Sequence, residues 1–200
     1  AQEEGLIRRD YQLEILSRTS QHINAILEVP TILRTMTAAA IELVDAAAGT
    51  AGIVSGDGLV FSEYHKEGKI RPIDYTFKPG EGLCACITKT LKTHISNDAA
   101  HDNCVPLNIR ELFGINSIVD IPILNREGKL LGCLELHNKK EGAQFDAQDV
   151  FMLQGLAAST AIALENANML IQRNKAKEAL SWQKEYYENL LNEANVYMEV

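Results

Sequence analysis

The stretch that most constrains this chain is residues 117–139, SIVDIPILNREGKLLGCLELHNK. Residues 117–124 and 129–137 are dense in Ile, Val and Leu, and Asn125-Arg126-Glu127-Gly128 supplies turn residues between them. The segment is therefore predicted as an antiparallel hairpin. Side chains alternate along a strand, so on the second arm Leu130, Leu134 and Leu136 share one face, and Leu131, Cys133, Glu135 and His137 share the other. A lone strand pair is marginal in water, so this one requires further strands and a covering layer of helix. Asp120, Glu135 and His137 are expected as outward or rim side chains. Glu135 has the strongest claim to the interior, because its strand neighbours are apolar and a buried carboxylate must find a partner.

The rest of the chain supplies those elements. Leu6, Arg9, Leu13, Leu16, Ser20, Ile23 and Leu27 recur at spacings of three and four, the pattern of a coiled-coil seam over residues 1–29. Val29-Pro30 interrupts it and suits a new helix start. That helix presents Leu33, Met36, Ala40 and Val44 on one face and is expected to end near Ala48-Gly49. From Thr50 the period becomes two, predicting a pair of short strands around Gly56-Asp57-Gly58 and a third over 74–77. A turn at 78–82 leads to helical spacing over 84–91, and residues 93–96 read as another strand. Residues 97–116 are polar, with only 108–113 helical in pattern; such a crossover inside a compact domain carries function. Residues 145–200 form one long helical pattern. Leu156, Ala163 and Leu170, then Leu180, Tyr187 and Ala194, repeat every seven residues, backed by Leu191 and Met198, and 172–178 between them reads as a solvated stalk.

Composition narrows the function. A net charge of −8 opposes nonspecific association with nucleic acid or anionic lipid. No window approaches the roughly 20 apolar residues of a membrane span, and the opening AQEEGLIRRD lacks a signal-peptide pattern; a cytoplasmic location is expected. Four cysteines, at 84, 86, 104 and 133, are too sparse for a disulfide scaffold in a chain of 200 residues and read as reduced thiols. No P-loop, Ser-His-Asp set or zinc spacing is present, so neither a catalytic nor a metal centre is expected.

The order of elements is that of an α+β domain. Within it the chain resembles the GAF domain, the small-molecule sensor module of signal-transduction proteins. The resemblance runs through residues 30–170 and rests on Phe77-x-Pro79-Gly80-x-Gly82 before a helix and Asn97-Asp98-Ala99 after the next strand. Ile121-Pro122-Ile123 with Leu131-Gly132, and Asn138-Lys139 followed by Phe145 and Asp149, complete it. It implies an antiparallel sheet with terminal helices on one face and a ligand pocket on the other, roofed by residues 78–117, and a signalling helix over 171–200. Phe77, Cys84, Asp98, His101, Asp102, Asn103, Cys104, Ser117 and Glu135 are then the candidate ligand-binding residues. Asn138, Lys139, Phe145 and Asp149 resemble the signature of cyclic-nucleotide-binding GAF domains. Val150 replaces its Glu, and Lys139 with Asp149 is expected as a structural ion pair outside the pocket.

The ligand is left unnamed by these residues. A cyclic nucleotide is one reading, and non-haem iron, drawing on His94, Asp98, His101, Asp102, Cys104 and the Cys84-x-Cys86 pair, is another. A covalent bilin is not expected, since Val105 follows Cys104 where bilin-binding members carry His. The resemblance implies a non-catalytic sensor that couples a small molecule to helix rearrangement in a parallel homodimer, with an output domain attached in the full-length protein. Two alternatives stand beside it: a free methionine sulfoxide reductase using Cys84 and Cys104, and a dimerisation module with a vestigial pocket.

Overall fold

The structure, a computed structural model, describes residues 2–198, with side chains described from 9 to 190. Helix α1 (Gln2–Asn24) and helix α2 (Val29–Val44) precede strands β1 (Ala46–Ser55), β2 (Gly58–Lys66) and β3 (Lys69–Phe77). A single turn of helix, α3 (Ile87–Thr90), strand β4 (His94–Ser96) and helix α4 (Leu107–Phe113) make the crossover. The hairpin β5 (Ile118–Leu124) and β6 (Leu130–Lys139) follows, and helix α5 (Ala147–Met198) ends the chain. The strands form one six-stranded sheet in the order β3-β2-β1-β6-β5-β4, every neighbouring pair antiparallel.

The predicted hairpin lies inside the sheet with neither arm at an edge, β6 pairing β1 and β5 pairing β4, as its apolar content requires. Val119, Ile121 and Ile123 of β5 and Leu134 and Leu136 of β6 face α2 and α5 in the main core. Ile118 and Cys133 face a second core beneath the crossover, with Phe61, Leu83, Ile87, Ile109 and Ile115. Gly132 permits the close approach of β1 and β6, since a Cβ there would lie 2.3 Å from the Gly52 carbonyl oxygen.

Several boundaries differ from expectation for local reasons. Helix α2 stops at Val44, because Asp45 adopts a left-handed conformation (φ 54°) with its N–H bonded to Ile41 O, and β1 begins at once. The helix expected over 84–91 shrinks to one turn, because Cys84 is itself left-handed (φ 56°). Strand β3 starts at Lys69 and tolerates Pro72 because it is an edge strand.

Helix α1 packs on α2 and α5 rather than standing apart. Gln12, Ile15, Thr19 and Ile23 are buried, and Gln12 Nε2 donates to Leu43 O at 2.9 Å. Of the expected seam, Ile23 is buried, Leu16 and Ser20 are half-buried, and Arg9, Leu13 and Leu27 are exposed. On α5, Leu156 and Ala163 are also spent on the domain core, with Met152, Leu153, Thr160 and Leu164. From Ile171 to Leu190 every residue is exposed. Leu6, Leu191, Ala194 and Met198 lie outside the described side chains.

Candidate functional site

The strand register assembles the most unusual group in the molecule. Asp120 lies directly opposite Glu135, Ile118 opposite His137 and Pro122 opposite Cys133, so alternation turns Asp120, Cys133, Glu135 and His137 onto the crossover side of the sheet. Asp120, Glu135 and His137 are respectively 3, 1 and 0% exposed; the expectation of outward or rim side chains is overturned. The cause is the roof, since residues 83–87 and α4 cover this face with Leu83, Ile87 and Ile109.

A hydrogen-bonded chain runs through the buried group. Glu135 Oε2 accepts from the Cys84 backbone N–H at 2.6 Å, and Glu135 Oε1 lies 2.6 Å from His137 Nε2. His137 Nδ1 is 2.9 Å from the Tyr64 hydroxyl of β2. With Glu135 ionised, Nε2–H donates to the carboxylate, and Nδ1 shares a hydrogen bond with the Tyr64 hydroxyl. Burial opposes the Glu135 charge, but bonds from His137, Cys84 N–H and Asp120 outweigh it and hold its carboxyl below the usual range. Burial and the adjacent Glu135 push Asp120 far up, so it keeps its proton. Its Oδ1 is buried with no hydrogen-bond partner. Burial also raises the Tyr64 hydroxyl and, with Cys133 alongside, the Cys84 thiol.

The cysteines depart from the reading of reduced thiols. Cys86 and Cys104 form a disulfide with a Cα–Cα distance of 5.3 Å, while Cys84 and Cys133 are free and buried. Sparse spacing did not reveal this, because the crossover folds back on itself and brings residues 18 apart into contact. Cys104 is thus joined to Cys86 and not to Cys84.

The remaining expected site residues are scattered. Asp98 and His101 pair with each other on the surface at 2.7 Å, with 65 and 85% of their side chains exposed. Asn103 is exposed. Asp102 binds His94 Nε2 at 2.8 Å and the Cys104 N–H at 2.8 Å, so it braces the loop. Phe77 packs against Gly82, where a Cβ would lie 2.1 Å from its ring, which explains the glycine in that motif. Ser117 is buried, and its N–H donates to Asn138 Oδ1. Asn97 ties the backbone of Phe145 through both its amide atoms. Lys139 pairs with Asp149 at 2.5 Å on the helix side of the sheet, the structural ion pair expected.

A cleft of about 850 Å³ lies between β2–β3 and the end of α4. Tyr64, Tyr75 and Phe113 form its aromatic wall, with Tyr64 and Phe113 centroids 4.7 Å apart, and Lys66, Lys69 and Arg71 line it together with Glu67 and Asp74. None of the residues expected to bind ligand lines it. Asp98 borders a separate cleft of about 550 Å³ with Arg110 and Asn116. Tyr64, Phe113 and Tyr75 escaped the sequence reading because they come from three segments, one of them helical, and a register shift between Phe61 and Glu63 interrupts the alternation of β2 against β3. Cation-capable groups cluster twice among the described residues: His94 with Asp102 and Cys104, and Cys84 with Asp120 and Glu135. In the first, Cys104 is committed to the disulfide.

A sheet with terminal helices on one face and a roofed site on the other is the arrangement of a small sensor domain. The GAF domain family profile matches residues 27–165, and the chain belongs to that family. The family is one of sensor and regulatory modules. Among solved structures, the GAF domain of a phosphoenolpyruvate-protein phosphotransferase from Coxiella burnetii is 22% identical. It aligns over 84% of this chain and 96% of that one with a TM-score of 0.63. A putative GAF sensor protein from Burkholderia vietnamiensis is 13% identical over 80% and 98%, with a TM-score of 0.67. A free methionine-R-sulfoxide reductase from Neisseria meningitidis is 18% identical over 80% and 91%, with a TM-score of 0.65. No curated protein matches the chain. Among the described residues, no helix is long and apolar enough to cross a membrane.

Proposed function

We propose that this GAF domain is a non-catalytic, cytoplasmic sensor that couples a small molecule, bound beneath the crossover, to rearrangement of α5 in a parallel homodimer. The observation that carries the reading is the cleft of about 850 Å³ with its Tyr64–Phe113 wall, a size and lining suited to a small ligand. Lys66, Lys69 and Arg71 outnumber Glu67 and Asp74 along its lining, and this net positive charge favours an anionic molecule with a flat body. A cyclic nucleotide is one of that kind, although Lys139 and Asp149 are engaged with each other and contribute nothing to it. A continuous route leads out of the cleft: Tyr64 bonds His137 on β6, and two residues on, Lys139 of the same strand holds Asp149 at the start of α5. A ligand that prefers one setting of Tyr64 and Phe113 would bias the helix by its differential affinity. An output domain joined after α5 would receive the change.

Native mass spectrometry of the purified chain tests this reading. A copurified anionic adduct, or one regained on screening and lost in Arg71→Ala and Phe113→Ala variants that remain folded, is the expected result. Retention of the adduct in both variants would move the ligand elsewhere.

The sulfoxide reductase reading keeps a specific footing in the Cys86–Cys104 disulfide. Attack of one thiolate on the sulfoxide sulfur releases methionine and leaves a sulfenic acid. A second thiol then closes the disulfide with loss of water, to be reopened by an external thiol. On this chain that pair would be Cys86 and Cys104, since Cys84 is buried and its thiol is pushed up. We expect no turnover of free methionine sulfoxide with a thiol reductant; turnover abolished by Cys104→Ser would establish the enzyme.

A further inference from the structure

We infer that Cys84, Asp120 and Glu135, with Cys133 beside them, form a buried site for one divalent cation of the zinc type. Their ligand atoms, the Cys84 Sγ and one oxygen from each carboxylate, lie within 4.8 Å of one another. This spread can close around a single ion with thiolate and carboxylate bonds of about 2.0–2.3 Å. The Cys133 thiol lies beside Cys84, outside the group of three mutually close ligand atoms. These donors come from three segments, the roof and both strands of the hairpin, and all are at most 3% exposed.

The donor set points to a cation. Two carboxylates and two thiols share one dry space, and among the described residues no Lys or Arg pairs with either carboxylate. Buried acids normally pair with a cation or coordinate a metal. His137 is the basic group in reach, and its ring is already held between Glu135 and Tyr64. That contact is the kind of outer bond that orients a ligating carboxylate. The Asp120 Oδ1, buried and without a hydrogen-bond partner, is the independent sign that something is to be bound here. Mixed thiolate and carboxylate donors suit zinc or another borderline transition ion rather than magnesium or calcium, which take oxygen alone. Binding would displace the Asp120 and Cys84 protons. None of the four residues lines the aromatic cleft, which the site touches only through the Glu135–His137–Tyr64 chain, and the metal titration reads the site whether or not the cleft binds a ligand.

The test uses the whole chain with Cys86–Cys104 closed, leaving Cys84 and Cys133 as the free thiols. Titration with Co²⁺ should give a thiolate-to-cobalt charge-transfer band saturating near one equivalent and displaced by Zn²⁺. Asp120→Asn and Cys84→Ser should each weaken binding by about tenfold or more with unchanged circular dichroism. Should a variant not fold, the wild type still decides: bound Zn²⁺ should protect both free thiols from alkylation under mild denaturant. A folded wild type that gives no band and no protection overturns the site. So does a band that survives Cys84→Ser with Cys133→Ser, which would place the metal elsewhere.

Discussion

Lys139 Nζ lies 2.5 Å from Asp149 Oδ2, with only 8 and 4% of the two side chains exposed. The pair fastens the end of β6 to the first turn of α5, and Asp149 also receives the Asp146 N–H. Removing one partner of a buried pair strands the other charge, which costs about 3–5 kcal/mol. Lys139→Met should therefore lower stability by roughly that amount in urea titration, and Lys139→Met with Asp149→Leu should recover much of it. Equal losses in the single and double variants would refute a charge-stranding origin.

The Cys86–Cys104 bridge closes a loop with a sequence separation of 18 over the roof. A closed loop of that order stabilises by about 3 kcal/mol. Cys104→Ser should cost about that much against the oxidised protein and nothing against the reduced one. Thermal melts with and without a thiol reductant check this, and a melting point indifferent to reductant would exclude the bridge as a stabilising element.

Tyr64→Phe removes the hydroxyl that satisfies His137 Nδ1 while leaving the ring against Phe113. A buried polar atom left unpaired costs about 1–3 kcal/mol. The same substitution should weaken any coupling between cleft and helix. Tyr64→Phe as stable as wild type would show that a water takes the place of the hydroxyl.

His65 on β2 is 6% exposed, and burial pushes its pKa below the ordinary value. Glu63 works the other way at 3.5 Å, and Arg34, paired with Glu63, works against the imidazolium. Since the folded pKa is depressed, the unfolded chain takes up the proton first. The stabilising contribution is complete above about pH 6.5 and is lost as pH falls from there through the folded value. His65→Gln should flatten that segment of the stability curve, measured by urea midpoints across the range. An unaltered slope would place the titration on another group.

How much of this was legible in the sequence depends on how local each cause is. The hairpin, α2 and the α5 pattern follow from periodicity, and the Lys139–Asp149 pair from motif resemblance. Glu135 and His137 share a strand face with Cys133 by alternation alone, so their grouping was readable. Their burial was not, because it depends on Leu83 and Ile109 arriving from the crossover. The crossover itself was the weakest segment to read: polar density drew attention to Asp98, His101 and Asn103, which face solvent. The interior is instead reached by Cys84 through a left-handed backbone turn that no spacing announces.

The dimer is the last expectation to test, and the burial of α5 redraws its seam. With Leu156 and Ala163 in the domain core, the exposed apolar positions that recur at steps of seven, four and three are Phe151, Ala158, Ile162, Met169, Ala176, Leu180, Tyr187 and Leu190. This stripe continues without a break in phase from the domain into the free part of the helix. Ile162 is 41% exposed, Met169 62%, Leu180 67% and Tyr187 56%, which is more apolar surface than a solvated stalk needs. At about 1.5 Å per residue the helix is on the order of 80 Å long, and beyond Ile171 no other element covers it among the described residues. A second copy in parallel would bury the stripe along its whole length. Sedimentation at tens of micromolar should find a dimer for residues 1–200. Met169→Glu with Leu180→Glu should convert it to a folded monomer, because both side chains are mostly exposed, at 62 and 67%. A monomeric wild type would sink the dimer and the signalling route through it, whereas a dimer that survives both glutamates would move the interface to α1 and its exposed Leu13 and Leu27.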